Sequence, residues 1–205
     1  MFKIQSFNST LYNYMKNNWE KAKEILKNDG VVILPTDTLY GIIGRALSKK
    51  AVEKIYKIKG RIENKPFIIL ITSYKDLDIF DIKVGKEQAK FLKKIWPGKV
   101  SVILSCEIDK WHYIHRGIGS IAFRMISSKN KNLFNLINKV GPLVAPSANK
   151  EGDQAAEDIT KAKGYFSNEI QLYINSGKRK YKASTLIKFK NDSWVVLRQG
   201  EKKIK

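Results

Sequence analysis

Two short, uninterrupted runs of apolar residues constrain the fold more than any other feature of this sequence. Residues 31–34 read Val-Val-Ile-Leu and are followed by Pro35, and residues 67–71 read Phe-Ile-Ile-Leu-Ile. Both runs are far shorter than the ~20 residues that cross a membrane. They also lack the polar alternation of a strand that has one face in water. Both are therefore predicted to be buried strands in the middle of a sheet.

Segments with helical and strand-like patterns alternate along the chain. Helical spacing covers residues 11–27, 48–58, 87–95, 132–140 and 158–163. Further strands are predicted at residues 100–104, 118–126, 143–145, 170–174, 185–189 and 194–197. Strands and helices alternate early and strands accumulate late, which predicts an α/β or α+β fold around a twisted mixed sheet. No repeat or linker divides the chain, so residues 1–205 are predicted to be a single domain.

The charge balance is strongly basic, with 39 Lys and Arg against 19 Asp and Glu and a net charge of +20. One interpretation is a partner rich in phosphate, either a nucleotide or RNA. The other is a compositional bias, because only six of the 39 cations are Arg and the lysines are scattered along the chain. The single cysteine, Cys106, excludes an internal disulfide. With no signal peptide and no membrane span in the sequence, a cytoplasmic protein is expected.

Common nucleotide and metal motifs are missing from the sequence. No Gly-Lys pair is followed by Ser or Thr in a Walker A frame, and no complete GxGxxG follows a strand. One Cys and two His do not give zinc-ligand spacing, and no GxSxG nucleophile elbow occurs. A nucleotide site in this protein would therefore be of another kind.

Two polar clusters lie near the ends of predicted elements in the first half of the chain. Thr36, Asp37 and Thr38 follow the first buried strand, where α/β sheets place ligands, although the same residues also favour a simple turn. Lys59 and Arg61 would point to the same side of an extended segment, as a triphosphate requires. The alternative is a basic helix C-terminus that ends at Gly60.

Two more clusters lie further along the chain. The strand at residues 118–126 has a polar side with Ser120 and Arg124, and an Arg in mid-strand needs an anion. That anion is either a ligand or a partner in a buried ion pair. Ser147 and Asn149 stand two residues apart and could donate together to a phosphate or a sugar, or they could cap a helix or form a turn.

The order and spacing of these clusters closely resemble the YrdC-like threonylcarbamoyl-AMP synthases, from about residue 20 to residue 200. The resemblance rests on Pro35-Thr36-Asp37-Thr38-Leu39-Tyr40-Gly41, Lys59-x-Arg61, Trp96-Pro97-Gly98, Ile121-Ala122-Phe123-Arg124, Ala145-Pro146-Ser147-Ala148-Asn149, Ser184-Thr185 and Leu197-Arg198-Gln199-Gly200. The Lys-x-Arg and Ser-x-Asn motifs in this order are its most specific part. Two departures are Leu70, where many relatives have His, and residues 150–154, where relatives usually have Leu-Ser-Gly-x-Pro.

The resemblance implies an open, twisted YrdC-like sheet with flanking helices and a basic concave face. It implies an L-threonylcarbamoyladenylate synthase, a nucleotidyltransferase that makes threonylcarbamoyl-AMP and pyrophosphate from L-threonine, bicarbonate and ATP. Mg²⁺ would arrive with the ATP. A partner enzyme would then transfer the threonylcarbamoyl group to adenosine in tRNA, which makes tRNA a further candidate partner.

The same resemblance assigns residues to the two substrates. Lys59 and Arg61 are expected to be catalytic by neutralising charge on the phosphates. ATP is expected to contact Lys59, Arg61, Lys65, Ser120, Ser147, Asn149 and Arg198. Threonine is expected to contact Thr38, Arg124, Ser184 and the backbone around Ala145.

Two other functions remain open at this stage. One is a YrdC-like module that binds RNA by shape and charge without catalysis. The other is a relative that keeps the nucleotide site and uses a different carbamoyl or acyl substrate. The threonine-side residues Thr38, Arg124 and Ser184 distinguish the first alternative, because an RNA-binding surface has no need of them.

Overall fold

The computed structural model describes residues 17–62, 65–190 and 193–204, and within these ranges nine strands form one mixed sheet. The strands are β1 (Val32–Pro35), β2 (Tyr40–Arg45), β3 (Ile68–Ile71), β4 (Val100–Ser105), β5 (Ser120–Met125), β6 (Leu143–Val144), β7 (Leu172–Tyr173), β8 (Thr185–Lys190) and β9 (Ser193–Arg198). Their spatial order is β7-β1-β2-β6-β3-β5-β4-β8-β9. Because β7 and β9 end this order, the sheet is open.

Helices connect the strands. They are α1 (described over residues 17–27), α2 (Lys49–Lys59), α3 (Lys75–Asp78), α4 (Lys86–Ile95), α5 (His112–His115), α6 (Lys131–Val140) and α7 (Ile159–Phe166). Two 3₁₀ turns add Asp109–Trp111 and Ser167–Glu169. No helix in the described ranges combines the length and the apolar character that crossing a lipid bilayer requires.

Two hydrophobic cores lie on opposite faces of the sheet. In β1, Ile33 belongs to one core while Val32 and Leu34 belong to the other, as the alternation of side chains along a strand requires. The core that contains Ile33 is covered by α2 and α4, and the core that contains Val32 is covered by α1 and α6. The fully apolar run at residues 31–34 therefore reflects burial on both faces.

Strand β5 has the two unlike sides that its sequence predicts. Ile121, Phe123 and Met125 are buried in the core beneath α2 and α4. Ser120 and Arg124 consequently point to the other face, the one that α1 and α6 cover further along the sheet. This alternation brings an arginine to the middle of the sheet.

Strand β2 is the strand that the sequence analysis did not predict, as it did not predict the short helices α3 and α5. It contains Gly41 and Gly44, which weaken strand signals. A side chain at Gly44 would place its Cβ atom 2.9 Å from Cδ1 of Ile55, so this glycine lets α2 pack closely on the sheet. Strand β2 pairs with β1 in an antiparallel hairpin, and residues 36–39, the first three of them polar, form its turn.

Residues 174–184 connect β7, at one edge of the sheet, to β8, next to the other edge. The segment contains no helix or strand and crosses the face that carries Arg124, where Ala183 and Ser184 reach the same cavity as that arginine.

The predicted fold class, an open mixed sheet with flanking helices, is confirmed. The predicted strand at 170–174 is reduced to β7. Residues 11–16 of the predicted first helix lie outside the described residues, and the single domain over 1–205 stays a prediction.

Candidate functional site

A cavity of about 420 Å³ lies on the face of the sheet toward which Arg124 points. Nine of the eleven residues predicted from the sequence line it, namely Thr38, Arg61, Lys65, Ser120, Arg124, Ala145, Ser147, Ser184 and Arg198. The remaining two, Lys59 and Asn149, are buried beside it. The structure thus brings together residues that are spread over most of the sequence.

Arg124 is the most deeply buried cation of the cavity wall, with 4% of its side chain exposed. Its Nη2 lies 3.0 Å from Oδ1 of Asp37, so the two side chains form an ion pair. The angles do not make this a hydrogen bond, and within the described ranges neither Asp37 Oδ1 nor Arg124 Nε has a hydrogen-bond partner. The charge of Arg124 is therefore balanced by Asp37, but the guanidinium keeps N–H groups that can donate to a ligand carboxylate.

The turn between β1 and β2 is a hydroxyl-bonded turn that also lines the cavity. The Thr36 hydroxyl donates to the backbone oxygen of Leu39 at 2.7 Å and accepts from the backbone nitrogen of Thr38 at 3.1 Å. The turn interpretation of this cluster is confirmed, and the ligand interpretation stays a prediction for Thr36 and Thr38, which also line the cavity. Arg179, which the sequence analysis did not single out, donates to the backbone oxygen of Thr36 at 2.7 Å and holds the turn from outside.

Arg198 and Ser184 form the wall of the cavity near β8 and β9. Arg198 Nη2 donates to the backbone oxygen of Ser184 at 3.0 Å, and the Ser184 hydroxyl lies 2.8 Å from the hydroxyl of Ser101. Although Arg198 as a whole residue is exposed, desolvation of its guanidinium, together with the nearby charge of Arg124, lowers its pKa from the usual value. Two guanidinium groups thus share one region of the wall, which favours an anion there.

Lys59 takes a different position from the one that the sequence pattern indicated. Helix α2 runs through Lys59 and ends at Gly60, whose φ of 61° is left-handed, so the expected extended segment is wrong. Lys59 does not line the cavity, and its ammonium donates to the backbone oxygens of Ser147 and Asn149. Burial, reinforced by the charge of Arg61, lowers its pKa to about 8. A direct contact of Lys59 with ATP stays a prediction.

Ser147 and Asn149 lie in the loop that Lys59 holds. The Ser147 hydroxyl donates to Oδ1 of Asn149 at 2.6 Å, and Nδ2 of Asn149 donates to the backbone oxygens of Lys150 and Asp153. The backbone nitrogen of Ala148 donates to the backbone oxygen of Tyr40, which ties the loop to β2. The Ser-x-Asn motif therefore fixes its own loop, and Ser147 is the member that reaches the cavity.

Arg61 and Lys65 give the cavity a cationic end that is already paired with a carboxylate. Arg61 Nη1 lies 2.9 Å from Oε2 of Glu151, and Lys65 Nζ lies 3.1 Å from Oε1 of the same side chain. Partial burial acts to raise the pKa of Glu151, but the hydrogen bond from Lys65 and the charge of Arg61 outweigh it and hold the pKa below its usual value. Glu151 is thus a carboxylate bound where the sequence analysis expected phosphate.

Sequence reasoning missed Glu151 and Arg179. The available signal for Glu151 was the departure of residues 150–154 from the usual pattern, which falls beside the Ser-x-Asn motif. Arg179 is one of only six arginines in a lysine-rich chain, which was a weaker signal. Leu70 is completely buried in β3 and pairs in register with Arg124.

A family model matches the part of the chain that contains this site. The model Sua5_yciO_yrdC, described as "Telomere recombination", matches residues 24–200, which is most of the chain. The chain belongs to the Sua5/YciO/YrdC family. The match includes each residue assigned to the candidate site, from Thr38 to Arg198.

Two curated members of the Sua5/YciO/YrdC family show how far the similarity extends. The threonylcarbamoyl-AMP synthase of Pyrococcus abyssi is 29% identical over 181 residues, which are 87% of this chain and 53% of that protein. The putative threonylcarbamoyl-AMP synthase of Methanocaldococcus jannaschii is 30% identical over 198 residues, 93% of this chain and 91% of that protein. The chain therefore spans about half the length of the first relative and most of the second.

A solved structure of the same family supports the fold. The crystal structure of P. abyssi Sua5 complexed with L-threonine superposes with a TM-score of 0.81 at 28% identity. The superposition covers 89% of this chain and 54% of that chain. The resemblance found in the sequence is confirmed at the level of family and fold.

Proposed function

We propose that this protein is an L-threonylcarbamoyladenylate synthase, a nucleotidyltransferase that uses L-threonine, bicarbonate and ATP and releases pyrophosphate. The observation that carries the proposal is the distribution of cations in one cavity. Arg124 is buried in its wall with donors free for a carboxylate, while Arg61 and Lys65 lie together at another part of the same cavity. An amino acid and a polyphosphate can therefore bind side by side.

The reaction needs the threonine nitrogen to carry a carboxyl group before it meets ATP. Attack of the threonine amine on bicarbonate forms an N–C bond and releases water, which gives a carbamate. A carbamate oxygen then attacks the α-phosphorus, and the bond from that phosphorus to the pyrophosphate oxygen breaks. Negative charge moves onto the leaving pyrophosphate, where Arg61 and Lys65 stabilise it.

The remaining residues of the cavity position the two substrates. Arg124 binds the threonine carboxylate through two N–H groups, and Asp37 neutralises the arginine when the cavity is empty of substrate. Thr38 and Ser184 offer hydroxyls on this side of the cavity, and Ser147 offers one on the nucleotide side. Catalysis by this arrangement consists of positioning and electrostatic stabilisation, without a covalent intermediate.

Mg²⁺ enters the proposal as the ion that accompanies ATP. Among the described residues, no group of three or more His, Cys, Asp or Glu is placed to hold a metal ion. Phosphate oxygens and water are accordingly its proposed ligands. The ion would neutralise phosphate charge next to Arg61 and Lys65.

The product needs an acceptor, because a mixed carboxylic–phosphoric anhydride hydrolyses in water. We propose that a threonylcarbamoyl transferase takes it and modifies adenosine in tRNA; the names of the curated relatives support threonylcarbamoyl-AMP as the product. ATP and tRNA are both present in the cytoplasm, where we place the protein. A direct contact of its basic surface with tRNA belongs to the same proposal.

Pyrophosphate release from ATP tests the proposed reaction. We expect release that requires threonine and bicarbonate together and that stops when either is omitted or when serine replaces threonine. ATP binding without release under these conditions would indicate a relative that uses another carbamoyl or acyl substrate. Salt-sensitive RNA binding with neither ATP binding nor release would instead support an RNA-binding protein.

A further inference from the structure

Glu151 occupies the cationic end of the cavity with both oxygens of its carboxylate. One oxygen lies 2.9 Å from Arg61 Nη1 and the other lies 3.1 Å from Lys65 Nζ. The Glu151 side chain is 23% exposed, so it is partly sheltered but has a path to solvent. The pair of contacts has the spacing of an anion shared between two cations.

The backbone holds Glu151 at this position independently of its side chain. Its backbone nitrogen donates to the backbone oxygen of Lys59 at 2.9 Å, at the end of α2. The next residue, Gly152, has a φ of 88° and open space around its Cα, so the loop is not packed in on that side. The Glu151 carboxylate can therefore leave the two cations by rotating its side chain while the loop stays in place.

The other donors of Arg61 increase the importance of this contact. Arg61 Nε donates to the backbone oxygen of Lys65 at 2.9 Å, and Nη2 lies 3.4 Å from the backbone oxygen of Pro66. The guanidinium is thus fixed from one side by backbone oxygens and from another by Glu151. A phosphate that binds Arg61 and Lys65 together competes with Glu151 for the charge of both cations and for the N–H groups that Glu151 now uses.

We propose that Glu151 competes with the polyphosphate of ATP for Arg61 and Lys65, and that this competition sets the affinity of this end of the cavity for polyphosphate. The proposal rests on the proposed function, which places the β- and γ-phosphates at Arg61 and Lys65. A polyphosphate carries several charges and displaces one carboxylate, whereas a weakly bound single anion does not. The same displacement works in reverse for the product, because the returning carboxylate favours release of pyrophosphate.

Binding of inorganic tripolyphosphate, followed by titration calorimetry without Mg²⁺, tests this inference without any chemistry. We expect Glu151→Gln to bind tripolyphosphate and pyrophosphate about threefold to tenfold more tightly than the wild type, the range for a partly exposed, charge-assisted pair of contacts. Glu151→Ala is expected to act in the same direction. The matched control is Glu169→Gln, because Glu169 pairs with Lys150, next to Glu151, at 2.9 Å. It removes one negative charge without freeing Arg61 or Lys65, and its affinity is expected to stay within about twofold of the wild type.

Unchanged or weaker binding by Glu151→Gln overturns the inference. A second titration with Mg²⁺ present separates competition from metal binding, since an affinity that falls in the variant only with Mg²⁺ would make Glu151 a metal ligand instead. The outcome is independent of the proposed reaction. If Glu151→Gln binds polyphosphate more tightly but the wild type releases no pyrophosphate, the proposed reaction is refuted and the competition by Glu151 is supported. If the wild type releases pyrophosphate as expected but Glu151→Gln binds polyphosphate with unchanged affinity, the proposed reaction is supported and the competition by Glu151 is refuted.

Discussion

The buried amino group of Lys59 gives the most direct test of how the site is built. Lys59 is 2% exposed and donates to two backbone oxygens of the loop that carries Ser147 and Asn149. Burial and the charge of Arg61 lower its pKa from 10.5 to about 8. The neutral amine still has two N–H groups, one for each oxygen, so the loop keeps both hydrogen bonds after the proton is lost.

The sign of the pH effect follows from which state binds more protons. Between about pH 8 and pH 10.5 the unfolded chain keeps the Lys59 proton and the folded protein has lost it. Stability therefore rises with pH across this window. With these two pKa values, the contribution of Lys59 to the free energy of unfolding increases by roughly 2–3 kcal/mol between pH 7 and pH 10.

Urea unfolding of the wild type and of Lys59→Met at pH 7 and pH 10 measures this contribution. Other groups titrate in the same range, but they cancel when the variant is subtracted from the wild type. We expect the difference in unfolding free energy to move by roughly 2–3 kcal/mol in favour of the wild type at pH 10. Lys57→Met, at an exposed position of the same helix, is the control and is expected to give a much smaller change.

A difference between wild type and Lys59→Met that stays constant from pH 7 to pH 10 would refute this reasoning. If the variant does not fold, NMR titration of ¹³Cε-labelled lysines in the wild type gives the same answer. One lysine is then expected to titrate near pH 8, and a lysine spectrum without such a resonance would refute the assignment.

Three further predictions concern the substrates and the packing. Arg124→Lys is expected to raise the threonine KM by about tenfold or more, because one ammonium cannot replace the planar pair of N–H donors of a guanidinium. The ATP KM of the variant, measured in parallel, is expected to stay within about threefold of the wild-type value. Arg61→Ala is expected to show the reverse pattern in the same assay, a raised ATP KM, and an effect on threonine alone would contradict the assignment of this residue to the phosphates. Gly44→Val is expected to lower the free energy of unfolding in urea by about 1–3 kcal/mol, because its side chain enters the contact with Ile55. Gly164→Ala, which meets open space on α7, serves as its control, and an equal loss in both would contradict the packing argument.

Sequence reasoning succeeded where one strand or helix decides the outcome. The alternation along β5 predicted that Arg124 would face away from the core formed by Phe123 and its neighbours, and it does. The apolar run at 31–34 predicted a strand buried on both faces, because no polar position interrupts it. In both cases the period of the side chains contains the information.

It failed where residues distant in sequence decide the outcome. Lys59 and Arg61 are separated by one residue, yet the left-handed Gly60 turns them to different partners, and the partners of Lys59 are backbone oxygens almost ninety residues away. Glu151 meets Arg61 across a comparable distance in sequence. Strand β2 was not predicted because glycine weakens the strand pattern. The reason for a glycine at residue 44 is the close packing of α2, which cannot be read from the pattern of the strand itself.

The segment at residues 174–184 has to be long enough to span most of the width of the sheet, because it joins β7 to β8. Seven steps of about 4.8 Å separate β7 from β8, so the segment bridges about 34 Å measured across the strands. Twelve peptide steps join Tyr173 to Thr185 and reach at most about 40–43 Å when fully extended. The sheet bends, since residues of the β1–β2 turn and of β8 line the same cavity, so the straight-line distance is shorter than 34 Å and leaves length for the left-handed turn at Gly177. The segment crosses this face because it joins strands near opposite edges of the sheet, and the connection places Ala183 and Ser184 beside the cavity.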